Sequence, residues 1–321
     1  MSLAKFASIT PGTPTRRRGL FAAVAVTAAL AMTACSSGGD ASSDSSSSAT
    51  DPGEKGYDVS SIQKDDAIAN LVPENVRSTG KLSNGAATDY APAEYRKADG
   101  QTPTGYDIDM VKALGKLMGL EASTTHVEFD SLIPQIGSKF TIGASSFTIT
   151  PEREADYTMV SYLRAGFQFA TAKDNPNKFD PKNLCGATIG VQTGTAQQEW
   201  LEDQSKTCTE GGKKAIDIKP LTAQTEVSTK VASGQYDAMV ADSPVVGYVV
   251  KMSDGQIQPV GDVFESALHG IVVPKDNPQM AEAVRAGLQK LMDDGTLKKI
   301  MATYGAGDAV LDKAEINPAV K

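Results

Sequence analysis

Short apolar runs alternate along this chain with helix-period stripes closed by glycine, and that alternation constrains the fold more than any other feature. Asp107 to Leu120 sets Met110, Val111, Leu114, Leu117 and Met118 on one helical face and closes at Gly119. Gln279 to Asp294 repeats the pattern with Met280, Val284, Leu288 and Leu291 before Gly295. A shorter helix carrying Leu297, Ile300, Met301 and Tyr304 ends at Gly305. Between them lie the β-type runs Thr188–Gln192, Ala238–Ala241 and Gly270–Val273. Strands alternating with helices predict an α/β chain with mixed, mostly parallel sheets. A length of 321 residues leaves room for about two domains.

Two stretches echo one another: 138–146 and 234–242 each run from a helix end through an aromatic and a buried strand to small polar residues. In open α/β sheets ligands sit beyond the carboxyl ends of strands, so two such ends can clasp one. The first end is Ser145-Ser146-Phe147-Thr148-Ile149-Thr150-Pro151-Glu152-Arg153. Thr150 is a good N-cap and Pro151 a good first helical residue. Arg153 then projects from a first turn, where the helix dipole disfavours a cation unless an anion accompanies it. An arginine fork with hydroxyls and free amides suits a carboxylate. The alternative is a surface pair between Arg153 and Glu152, Glu154 or Asp156. A second constellation, 192–198, follows a strand directly; Gly194 permits a tight turn and Thr195 can cap the next helix. It reads equally as an ordinary strand–turn–helix junction. A third, Ala241-Asp242-Ser243-Pro244, puts a carboxylate where it could meet an ammonium group or simply cap a helix.

The amino end reads as an export signal. Arg16-Arg17-Arg18 precede an apolar run from Leu20 to Met32, too short to span a bilayer comfortably but suited to a secretory h-region. It ends at Met32-Thr33-Ala34-Cys35, which resembles a bacterial lipobox, so Cys35 is expected to be diacylated and to become the new N-terminus. A plain signal peptide with a chance cysteine is the alternative. The stretch from Ser36 to Gly53 carries eight serines and cannot bury enough apolar surface to order itself, so it predicts a tether. Of three cysteines, Cys35 is spoken for. In an exported chain the remaining two, Cys185 and Cys208, predict a disulfide. The chain has 31 Lys+Arg against 39 Asp+Glu, an acidic balance with no basic stripe, which argues against nucleic acid as a partner. The two histidines, His126 and His269, lie far apart and read as surface or core residues, so no metal or other cofactor is expected.

The runs GYDIDMVKALGKLMGL (105–120), FDSLIP (129–134), SSFTITPER (145–153), VQTGTAQ (191–197) and GQYDAMVADSP (234–244) resemble, in order and spacing, the family 3 extracellular solute-binding proteins. These are the amino-acid receptors of bacterial ABC importers, and the resemblance covers about positions 74 to 305. It implies a two-lobed, periplasmic-binding-protein-like fold of type II, each lobe a mixed sheet flanked by helices. It implies that Arg153 grips a ligand α-carboxylate with help from Thr148 and the amide of Thr195 or Ala196. Asp242, with Ser146, would take the α-ammonium; Ser145 joins the same loop, and Tyr90 and Phe129 would flank the ligand side chain as an aromatic pair. Family members selecting basic ligands often carry an acid three positions before that first aromatic. Here Ala87 stands there and Asp89 is displaced by two, which favours a neutral polar ligand slightly over a basic one. Thr141 stands where an aspartate is common.

The expected organisation is a signal peptide over 1–34, lipidated Cys35 and tether over 35–66, lobe 1 over 67–170 plus 268–305, lobe 2 over 171–267, and a tail over 306–321. Hinges are expected near Phe169–Ala172 and Ala267–Gly270. The implied receptor is a non-enzymatic monomer, anchored by lipid at the extracellular face of the membrane. It would hand its ligand to an ABC permease whose own subunits hydrolyse ATP, since no nucleotide-binding motif occurs in the chain. The rival reading is an exported dehydratase of arogenate or prephenate on the same fold, which would need an acid on the leaving hydroxyl.

Overall fold

Two long strands organise everything else in this computed structural model, which describes residues 51–320. The export signal, Cys35 and most of the serine-rich tether lie outside the described residues. From the amino end, α1 (Asp66–Leu71) and α2 (Glu74–Arg77) lead into β1 (Lys81–Ala86). A small antiparallel pair, β2 (Tyr95–Arg96) and β3 (Pro103–Thr104), precedes α3 (Tyr106–Met118). Next come β4 (Glu121–His126), α4 (Phe129–Leu132), β5 (Ile142–Gly143) and α5 (Pro151–Asp156), which opens the sixteen-residue β6 (Tyr157–Ala172). Then β7 (Thr188–Gln192), α6 (Ala196–Glu210), β8 (Asp217–Leu221), α7 (Gln224–Ala232), β9 (Ala238–Asp242) and α8 (Ser243–Met252) form a second half. The eighteen-residue β10 (Ile257–Pro274) returns to the first half, where α9 (Pro278–Asp293) and α10 (Thr296–Thr303) follow.

The main sheet has the order β4-β1-β5-β10-β6-β9-β7-β8. Its outer pairs are parallel, while β10 runs antiparallel to both β5 and β6, and β6 antiparallel to β9. The sequence did not reveal β6 at all and showed only the last residues of β10. Most of β6 is buried without alternation, and much of β10 is exposed and bulged, so neither carries a period-two signature. β6 meets β9 through Phe167–Ala170, a pairing that includes Phe169 and Ala170 of the expected hinge Phe169–Ala172. Just before it in β6, the pairing with β10 shifts register between Val260 and Ala267. Gly166 is required there: a Cβ would stand 2.6 Å from the Phe264 carbonyl oxygen.

Helix α3 forms where the stripe predicts. Met110, Val111, Leu114, Leu117 and Met118 are buried, and Gly119 at φ 68° lets its amide reach back to Gly115 and Lys116 carbonyls. α9 buries Met280, Val284, Leu288 and Leu291 and is capped by Asn277 on the Met280 amide. These faces share one large apolar cluster, while Phe167, Phe169 and Val240 build a separate one with Trp200 and Phe264 packed on it. The Cys185–Cys208 disulfide predicted by the cysteine count is present, with Cα atoms 5.6 Å apart.

Both ends of the described chain are tied down. Residues 51–66, placed in the tether from the sequence, dock through both polar and apolar contacts: Tyr95 donates to Asp51, the Tyr57 amide donates to Asp109 at 2.7 Å, and Tyr57, Val59 and Ile62 pack on the main apolar cluster. At the other end, Val310 and Ile316 bridge to Leu163 and Val160. That pairing covers the part of β6 that β9 does not reach and so removes an open sheet edge.

Candidate functional site

Strand ends from both halves converge on one cleft. On the first side, Asn84 of β1 fixes the loop after β5 by accepting from the Ala144 amide at 2.7 Å. Ser146 sits at φ 49°, a left-handed conformation that costs a non-glycine residue ~1–3 kcal/mol. Asp107 compensates: its carboxylate accepts from the Ser146 amide at 2.7 Å and from the Tyr162 hydroxyl at 3.0 Å. Burial raises Asp107 to about 6, against the pull of those donors. Thr150 caps α5 on the Arg153 amide, so the arginine leaves the first turn pointing back across the loop.

The Arg153 guanidinium donates to the Thr148 carbonyl at 2.8 Å and, across the cleft, to the Gly194 carbonyl at 3.2 Å. Its carbon lies 5.7 Å from the Phe129 ring centre and 5.6 Å from that of Phe147, which stack on one another. Among the described residues no carboxylate forms an ion pair with it; Glu152, Glu154 and Asp156 do not. Burial lowers the guanidinium from its usual value, partly offset by the charges of Glu199, Asp242 and Glu152.

On the second side, Thr195 caps α6 on the Gln198 amide, and Gly194, at φ 79°, lies so close to Asp130 that a Cβ would come within 2.9 Å of its Cα. Asp242 begins α8 yet makes no side-chain cap bond. Its carboxylate instead accepts from Tyr90 Oη at 2.9 Å and Gln197 Nε2 at 2.8 Å. Burial raises its pKa, opposed by His269, Tyr90, Gln197 and Arg153. Gln192 Nε2 reaches Asp89 Oδ1 at 3.2 Å. With Tyr90–Asp242 and Arg153–Gly194, that makes three hydrogen-bond crossings among the described residues, and the halves stand shut around about 10 Å³, room for no more than one water. A ligand larger than water therefore enters only when the halves part.

Tyr90, Phe129, Ser146, Thr148, Arg153, Thr195, Ala196 and Asp242 all line this space. Ser145 does not: its hydroxyl turns inward, donating to Glu94 at 2.7 Å and accepting from the Ala87 amide. Tyr90 and Phe129 line it separately, since Phe129 stacks on Phe147 and Tyr90 is committed to Asp242. Gln192 and Gln197 also line it; both fall in the 192–198 constellation, which gave neither of them a role. Their signal was position alone, a strand's carboxyl end and a helix's first turn. Thr141 bonds to Ser83 across the sheet, where it supports β1.

The model of the bacterial extracellular solute-binding proteins, family 3, matches residues 82–307. An arginine-binding protein of Corynebacterium glutamicum is 35% identical over 252 residues, 78% of this chain and 82% of its own length. A solved amino-acid ABC transporter substrate-binding protein of Streptococcus pneumoniae, bound to L-arginine, superposes with a TM-score of 0.65 at 25% identity, covering 73% of this chain and 99% of its own. An ancestral amino-acid-binding protein, described as a precursor of cyclohexadienyl dehydratase, superposes at 0.62 with 30% identity, covering 73% and 99%. The fold is the two-lobed α/β arrangement that the resemblance implied, and the chain belongs to the family 3 bacterial extracellular solute-binding proteins.

Proposed function

We propose that this protein is a receptor that closes on a polar L-amino acid and delivers it to the permease of an ABC importer, held at the outer face of the membrane by a lipid on Cys35. The observation that carries this is the Arg153 guanidinium. It has five N–H donors, spends two on carbonyls, meets no carboxylate in an ion pair among the described residues, and lines the same cleft as the carboxylate of Asp242. A zwitterion completes both charges: its carboxylate on Arg153, Thr148 and the opening amides of α6, its ammonium on Asp242 and Ser146. The lobes then follow the sheet, lobe 1 around β1, β4 and β5 and lobe 2 around β7 to β9, with β6 and β10 as the crossings between them.

Ala87 leaves no acid at the position expected for a basic ligand, whereas an arginine-binding relative is 35% identical. L-Arginine is therefore the first ligand to test, and L-glutamine the second. A thermal-shift screen against the common L-amino acids is expected to show stabilisation of about 2.7 kcal/mol at a hundredfold excess over the dissociation constant. A flat response to every amino acid would remove this reading. The ancestral precursor of a dehydratase motivates one control. Of the residues lining the cleft, only Asp242 is a carboxylic acid, and it already serves Tyr90 and Gln197. Arogenate and prephenate are expected to be returned unchanged, and turnover would make the protein an enzyme.

A further inference from the structure

His269 was read from the sequence as a bland surface or core residue, and the fold gives it a specific neighbour. The Ile149 amide donates to the Leu268 carbonyl and the Gly270 amide to the Phe147 carbonyl, which sets His269 opposite Thr148 on β10, directly under the cleft. Its side chain is 1% exposed, and both ring nitrogens are buried without a hydrogen-bond partner. A buried polar group left in that state is costly, so a near neighbour that can engage it matters. Nε2 faces Asp242 Oδ1 at 3.5 Å, a few tenths of an ångström beyond a good hydrogen bond. That oxygen also accepts from Gln197, and its twin accepts from Tyr90. The charged groups that face the imidazole are Asp242, from the end of β9, and Arg153, from α5.

We propose that His269 is a positioning residue for the ammonium subsite: its neutral Nε2–H steadies the Asp242 carboxylate, and a proton taken up by the His269–Asp242 pair competes with the ammonium group of the ligand. This rests on the reading of the cleft as an amino-acid site. Burial holds the imidazole below its ordinary pKa, Asp242 pulls it up and Arg153 pushes it down, and the net direction favours the neutral ring. In acid, one proton turns the pair into a buried ion pair whose carboxylate charge is already answered from within the protein. An arriving ammonium must then expel that proton. Affinity falls as pH falls, by up to about tenfold per unit below the pair's apparent pKa, and binding in that range releases a proton.

The full chain holds only two histidines, so labelling with isotopic histidine and comparing with His269→Gln assigns both ring signals. His269 is expected to titrate below the ordinary range, and Asp242→Asn, which removes the anion, should lower its midpoint further. A midpoint unmoved by Asp242→Asn overturns the pairing, and this arm needs no ligand. Calorimetry with L-arginine in two buffers of different ionisation enthalpy is the second arm. The unmodified protein is expected to release a proton on binding in acid. His269→Gln, which keeps an amide donor, should bind about tenfold more weakly near pH 7.5 and lose the proton release. His269→Leu, with no donor, should bind more weakly still. Proton release unchanged in His269→Gln overturns the proposal. A midpoint that responds to Asp242→Asn in a protein that binds no amino acid supports the pairing and defeats the receptor reading instead.

Discussion

Arg153 and Asp242 stand on opposite sides of one cleft, and the protein furnishes them in opposite ways. Arg153 is given two backbone carbonyls and two aromatic faces, none of which carries a full negative charge. Asp242 is given two side-chain donors, Tyr90 and Gln197, with the His269 ring close by. The cation is therefore left for something outside the chain to answer, while the anion is largely answered from within. The difference predicts that the carboxylate end of a zwitterion contributes more to binding than its ammonium end.

The largest expected effect is at Arg153. Arg153→Ala leaves a ligand carboxylate buried without its cation, a loss of ~2–5 kcal/mol. Arg153→Lys should recover little of it, because an ammonium cannot offer a planar fork to a carboxylate while also holding the Thr148 and Gly194 carbonyls. Calorimetry with L-arginine or the screened ligand decides this. Near-normal affinity in Arg153→Lys would show that charge alone, without fork geometry, does the holding. Asp242→Asn comes next. The amide can still meet Tyr90 and Gln197, so the variant loses charge more than architecture, about 1.5–3 kcal/mol for one charge-assisted bond. Equal losses at the two positions would break the contrast between them.

The sequence showed one side of this cleft better than the other, for physical reasons. The Arg153 loop is local: a cap, a proline and an arginine within four residues define its geometry before any packing occurs. The helices closed by Gly119 and Gly295 were legible for the same reason, since burial at a helical period and a left-handed glycine are both short-range properties. Asp242 was visible as a charge at a strand end, but its alternatives could not be separated. Only Tyr90, 152 residues away, and Gln197, 45 away, turn its side chain from capping to the cleft. Ser145 failed in the opposite sense. It shares a loop with Ser146 and Thr148, yet Glu94 draws its hydroxyl inward. His269 needed β10, a strand whose exposed and bulged first half carries no periodic signal. Residues 51–66 dock by scattered hydrogen bonds and by Tyr57, Val59 and Ile62 packed on the main apolar cluster, contacts with distant residues that local composition does not reveal.

The smallest expected effect sharpens the contrast at a crossing where both partners belong to the protein. Asp89 accepts from Gln192 at 3.2 Å, and its carboxyl is raised to about 7, chiefly by burial and then by the charge of Glu128. A folded-state pKa above the unfolded value of 3.8 means that the folded chain holds this proton more tightly. Stability is therefore lost as pH rises from about 4 through about 7, and the loss is complete above that. Asp89→Asn keeps an oxygen for Gln192 and removes the charge, so it should be nearly silent near pH 4 and increasingly stabilising up to pH 7. Because Asp89 is partly exposed, the gain is discounted to about 1 kcal/mol, or roughly 2–4 °C in melting temperature. Melting curves of the two proteins across pH 4 to 8 supply the measurement. A gain that is the same at every pH would mean that Asp89 bears no raised proton affinity and that its crossing to Gln192 is a plain hydrogen bond.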